Sequence, residues 1–181
     1  MIKAADDNLN NYRIPEAAKA MQEFVDDLSN WYVRRGRERY WAQGMSQDKI
    51  NAYMTLYTAI VTLCKCAAPM VPFITEEIFC TIQNEEESIM ISKWPEYSED
   101  RAFPAEEKAI ETIKEAVRGI RNIRTEMNVA PSRKASVYVV SENDEIRRIF
   151  EEGKLFFASL AYANEIMIQA DKTGIADDAV S

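Results

Sequence analysis

Histidine is missing altogether from this 181-residue chain. Its absence removes the commonest general base, the partner of every Ser-His or Cys-His nucleophile, and a main source of zinc ligands. Cysteine is scarce as well, with three in all. Cys64 and Cys66 stand two apart inside a helical pattern, so they point to different faces and do not form a zinc site. All three are expected to be buried or partly buried free thiols of a reducing compartment. No run of about 18 apolar residues exists, and the N-terminus lacks the charged, apolar, small-residue order of a signal peptide. The expectation is a soluble, cytoplasmic chain with no membrane partner. The paired carboxylates Glu76 and Glu77 fall in a first helical turn, where acids suit the helix dipole, and so read as structural. No catalytic residue, metal ligand or cofactor of the chain's own is expected.

What is present is a core. Hydrophobic residues make up 47% of the sequence, enough for one domain or a main domain with a small appendix. Residues 1–10 are polar and are expected to be frayed or tied to a preceding domain. Pro15 suits a first helical turn, and Ile14, Ala17, Ala18, Met21, Phe24, Val25, Leu28, Trp31 and Tyr32 recur at helical spacing over about five turns. Ser46 is placed to cap a second long helix over 47–67, with Ile50, Tyr53, Met54, Tyr57, Ile60, Val61, Cys64 and Ala68 on one side. Pro69 and Pro72 break it. A shorter helix is expected to open at Thr75 and end near Ile82. Residues 83–103 are acidic, carry Pro95 and read as an extended connector anchored by Trp94 and Tyr97.

A third long helix is expected over 104–127, with Ile110, Ile113, Val117, Ile120, Ile123 and Met127 facing a core. The period then changes to alternation at 135–140, which predicts a strand. Helices near 142–151 and 153–161 and a second strand over 165–169 complete a small α/β appendix. Two strands alone are marginal, so they are expected to rest against the bundle. The expected division is a bundle over 1–128 and an appendix over 129–181.

The formal net charge is −8, which argues naively against nucleic acid. Two islands run the other way. Residues 31–41, WYVRRGRERYW, carry +3 through Arg34, Arg35, Arg37 and Arg39 against Glu38. Residues 118–134 carry +4, and removing both islands leaves −15 for the rest. Screening over about 8–10 Å lets local basic patches act while distant acids are damped. Arginines among aromatics suit an unpaired RNA loop, because guanidinium groups bind phosphate and planar groups stack on bases. The third helix offers Lys114, Arg118, Arg121 and Arg124 on faces other than the apolar stripe, continued by Arg133 and Lys134. Asn122 and Asn128 are candidates to read base edges, although Asn128 equally suits a helix end. The opposing reading is ordinary helix chemistry, with bases near helix C-termini and arginines paired to Asp26, Asp27 or Glu38.

The words IRNIRTEMNVAPSRK at 120–134 closely resemble the last long helix of the anticodon-binding domain in valyl-tRNA synthetases. MVPFITEEIF at 70–79 resembles a segment shared by the valyl and isoleucyl enzymes, both class Ia aminoacyl-tRNA synthetases. DDLSNWYVRRGRERYW and QDKINAYMTLYTAIVTLCK, within 11–70, look more isoleucyl. From about Ile74, through SIMISKWPEYSE to DKTGIADDAVS, the chain looks valyl. A lineage with mixed features and a chimera joined near Pro72 both fit. The resemblance implies a mainly α fold, the class Ia anticodon-binding helical bundle followed by a small α/β appendix. It also implies a binding module for the anticodon stem and loop of a valine or isoleucine tRNA. ATP-dependent aminoacylation would belong to a catalytic domain of the same synthetase, because neither a HIGH-type nor a KMSKS-type motif occurs here. The valyl assignment is favoured; the alternatives are the isoleucyl enzyme or a helical protein-interaction module without an RNA role.

Overall fold

The structure, a computed structural model of the chain, describes residues 1–82, 86–130, 132–176 and 179–180. It is mainly helical, ending in a small two-stranded α/β unit. Its contacts group into two compact units, Met1–Asp100 and Arg101–Ser181. This grouping puts the helix over 104–126 with the α/β elements, whereas the sequence reading assigns it to a bundle over 1–128.

The first unit opens with α1 (Ile2–Asn10), a helix where the sequence reading expected a segment frayed or tied to a preceding domain. Ala5 is fully buried against Met21 and Cys66, with Ile2, Leu63, Met70 and Trp94 packed around them. A small residue lets α1 lie close to its neighbours, and because alanine contributes little to an apolar pattern the helix is inconspicuous in sequence. The turn into α2 (Ile14–Asp27) closes with Tyr12 N–H on the Leu9 carbonyl and Arg13 N–H on the Asn8 carbonyl. This is a Schellman closure, and Tyr12 accepts the left-handed conformation it requires, at φ 58.

From Leu28 the helix widens to a π-helical segment, Leu28–Val33, in which Arg34 N–H reaches the Ser29 carbonyl at 3.0 Å. A short helix, α3 (Arg37–Trp41), follows. In α4 (Gln47–Ala67) the Ser46 hydroxyl accepts Lys49 N–H, giving the expected cap. Cys64 and Cys66 do face different sides: Cys66 joins the Ala5 cluster, while Cys64 packs with Phe79 and Ile89. Burial pushes the Cys66 thiol up to about 11. Three expectations fail here. Tyr53 and Met54 are exposed, Ala52 being buried instead, and Cys80 is an exposed thiol.

α5 (Pro72–Ile82) starts at the proline that was expected only to break its predecessor. Pro fixes φ at a helical value and has no N–H to leave unpaired in a first turn. The Glu76 carboxylate accepts Ile89 N–H at 2.8 Å, which holds the carboxyl below its usual range and pins the 3-10 turn Ile89–Ile91. Of the expected connector, 83–85 lie outside the described residues. The remainder carries that turn and a second at Glu99–Arg101, with Trp94 as its anchor. Tyr97 stays exposed, under the Lys3 ammonium at 5.4 Å.

The second unit comprises α6 (Pro104–Glu126), β1 (Ala135–Val140), α7 (Asp144–Glu152), α8 (Lys154–Ala161) and β2 (Ala163–Gln169). The strands pair in parallel, Ser136 opposite Glu165 through Val140 opposite Gln169, with a register shift after Ala135. Parallel strands need a crossover, here α7 and α8, and those helices also pack on α6. The α7–α8 joint is Gly153, where an added Cβ would lie 2.6 Å from Ile113 Cδ1. Ile113 and Val117 are buried, whereas Ile110 and Met127, expected in the same stripe, are exposed. No helix among the described residues is long and apolar enough to cross a membrane.

Candidate nucleic-acid interface

Each basic island lies within one unit. In the first unit the turn after the π-helical segment carries Arg34 and Arg35, α3 carries Arg37 and Arg39, and the fold uses the four unequally. Arg39 is a fastener: its Nε and Nη2 donate to the two Asp48 carboxylate oxygens at 2.8 and 2.7 Å, tying α3 to the start of α4. Asp48, rather than the expected Asp26, Asp27 or Glu38, is thus its partner, and the pair holds the carboxyl low and the guanidinium high. Arg35 donates to the Trp31 carbonyl at 3.3 Å, and burial lowers it to about 10. Arg34 and Arg37 are exposed. The Arg37 guanidinium lies 5.2 Å from the centre of the Trp41 ring, and Trp41 is 74% exposed.

In the second unit the four cations expected to track phosphates divide: Arg118 and Arg121 are exposed, whereas Lys114 and Arg124 are turned inward. Lys114 is only 4% exposed and its ammonium is 2.7 Å from Glu111. Arg124 is 9% exposed; its Nη2 donates to the carbonyls of Ala130, at 3.0 Å, and of Arg133. Arg121 Nε donates to the Leu160 carbonyl at 3.1 Å, and the Arg121 and Arg124 guanidiniums lie 5.7 and 5.6 Å from the Tyr162 ring centre. The two arginines therefore clasp the C-terminus of α8 and the loop after α6. Spacing explains this, because Arg124 stands seven positions after buried Val117 and Lys114 three before it, on the apolar face. Arg118 is exposed and 3.3 Å from Glu111.

Asn128 ends α6 at φ 54, its N–H on the Thr125 carbonyl and Val129 N–H on the Arg124 carbonyl. That is the capping role weighed against base reading. Asn122, Arg133 and Lys134 are exposed. Two aromatic residues lie against these cations: Trp41, which the sequence reading counted only among the aromatics of its arginine-rich word, and Tyr162, for which periodicity gave no signal.

Residues 1–139 match the family described as the anticodon-binding domain of tRNA ligase. This chain belongs to that family. An isoleucine–tRNA ligase of Clostridium kluyveri is 42% identical over 146 residues, covering 78% of this chain and 14% of the relative. A valine–tRNA ligase of Clostridium tetani is 33% identical over 182 residues, covering 100% of this chain and 20% of the relative. An isoleucine–tRNA ligase of Porphyromonas gingivalis is 30% identical over 177 residues, 97% of the chain and 16% of the relative. The chain thus spans no more than a fifth of these relatives, and both amino-acid specificities occur among them. As an anticodon-binding domain of the isoleucine and valine type, it accounts for the helical first unit and for a match that runs through α6 into β1.

Proposed function

We propose that this chain holds the anticodon stem and loop of a tRNA while a catalytic domain outside it attaches the amino acid. The observation that carries the reading is the family match together with exposed arginines in an otherwise acidic chain. Arg34, Arg37, Arg133 and Lys134 supply phosphate contacts, the salt-dependent part of affinity, while Arg118 is held by Glu111. Arg124 acts by fixing the loop that presents Arg133 and Lys134, and Arg121 by holding the C-terminus of α8. An anticodon loop is single-stranded, so its bases are open to stacking and edge contacts that a duplex conceals. Arg35, Arg39 and Lys114 maintain the surface, and Asn122 is an exposed candidate for an edge contact.

The amino acid we propose is valine, because the valyl-like words cover the helix and loop of the second unit and a valine–tRNA ligase aligns over the full chain. Isoleucine is favoured instead by the higher identity of the Clostridium kluyveri relative. Titrating the full chain with valine and isoleucine tRNA transcripts at low salt tests both points. Tighter binding of the valine transcript supports the valyl reading, and the reverse order replaces it with the isoleucyl one. No binding to either transcript by folded protein would favour a protein-interaction module.

A further inference from the structure

Trp41 is the largest side chain that the first unit leaves in water at a fastened position. Its neighbour Tyr40 turns inward, meeting the Tyr53 ring edge-on at 5.1 Å. Arg39 locks α3 to Asp48, and the Lys49 ammonium donates to the Ala42 carbonyl at 2.7 Å, immediately after Trp41. The backbone carrying the indole is thus tied down on both sides. The indole itself is 74% exposed, with Arg37 over it at 5.2 Å. A side chain contributing so little to the core, on so well held a backbone, is arranged for a ligand that arrives from solvent.

We propose that the open surface of the Trp41 indole seats one unpaired nucleobase of an RNA loop, with Arg37 stacked on the indole as its positioning residue. The proposal rests on the tRNA reading and goes further by assigning a stacking residue. Several observations fit a base. The surrounding word, residues 31–41, carries +3, which draws a phosphodiester chain. The exposed Arg34 side chain has no hydrogen bond or ion pair with any described residue, leaving its fork for a phosphate beside the base. A base in a duplex has both faces covered by its neighbours, so only an unpaired one can use the indole. The guanidinium on the ring also holds positive charge close to where the phosphate would pass.

The test uses the full chain and an RNA hairpin with the sequence of an anticodon stem and loop, compared with a blunt duplex of the same stem. Trp41→Ala is expected to weaken hairpin binding about 5- to 150-fold, the range for loss of one base–aromatic stack, and to leave duplex binding unchanged. Trp41→Phe should retain most of the affinity. Replacing loop nucleotides one at a time by abasic residues should reveal one position at which Trp41→Ala has no further effect. Because Trp41 lies outside the core, the variants should unfold at the wild-type temperature.

Equal weakening on hairpin and duplex, or no abasic position coupled to Trp41, overturns the stacking assignment. If Arg34→Ala weakens hairpin binding while Trp41→Ala does not, the stack is wrong and the tRNA reading survives. If the wild-type chain fails to bind the hairpin at low salt, both fall.

Discussion

Arg124 illustrates how a cation can be consumed by the fold. Its guanidinium is nearly buried, stacks near Tyr162 and satisfies two carbonyls of the loop that carries Arg133. Both bonds leave Nη2, at the far end of the guanidinium; lysine is shorter and lacks the planar group held against Tyr162, so its ammonium does not take the same place. Arg124→Lys is therefore expected to cost about 1–3 kcal/mol of stability, read as a lower urea midpoint, because a loop carbonyl loses its partner. An unchanged midpoint would show that the clasp contributes nothing. Glu111 gives a pH-dependent counterpart. The Lys114 ammonium, then Arg118, holds its carboxyl below the usual range. A depressed folded value means stability present above the ordinary carboxylate pKa and lost as pH falls through the depressed one. Glu111→Gln should thus be less stable than wild type by about 1 kcal/mol at neutral pH, a value kept small because half the carboxylate faces water. The difference should shrink as pH falls below about 4.5. A gap that stays constant down to pH 3 would exclude the ion pair as its source.

At the scale of elements, Gly153 allows the α7–α8 joint to approach α6. A Cβ there would meet Ile113 Cδ1 at 2.6 Å and the Ile149 carbonyl at 3.2 Å, and Ile113 is itself buried. Gly153→Ala should destabilise by about 1–3 kcal/mol, the usual cost of overpacking, measured by chemical denaturation. A neutral result would mean that Ile113 has another rotamer to occupy. Much of this layer was legible in the sequence. The second long helix follows from the Ser46 cap and the third from helical spacing over 104–127, while the Val/Tyr alternation gives β1. What was not legible has a common cause. Periodicity identifies apolar stripes, so it passes over α1, whose central buried residue is an alanine, and it misreads α6, whose buried face includes Lys114 and Arg124. A buried cation requires a partner, and the partners here are Glu111 and the carbonyls of Ala130 and Arg133. The latter belong to a loop whose path the helix pattern does not encode. The candidate site was legible as two basic words, but their division into fasteners and free cations depends on tertiary contacts.

Over the whole molecule, charge determines what kind of polyanion the chain can hold. Met1–Asp100 carries −6 and Arg101–Ser181 carries −2, so neither unit is basic, and affinity must come from a few open cations against a repulsive background. Arg34, Arg37, Arg133 and Lys134 are exposed, and none has an ion pair with a described residue. If all four meet phosphates, the logarithm of the tRNA association constant should fall with the logarithm of salt with a slope of about −3, at 0.7–0.9 per contact. Arg34→Ala or Arg133→Ala should each reduce that slope by slightly less than one. Trp41→Ala should lower affinity without altering the slope, because stacking releases no counterions. The acidic remainder should also keep binding to a plain DNA duplex well below binding to tRNA at the same salt. A slope near zero, or one that Arg34→Ala and Arg133→Ala leave untouched, would mean that phosphates do not engage these groups, and the binding surface would have to be sought elsewhere on the chain.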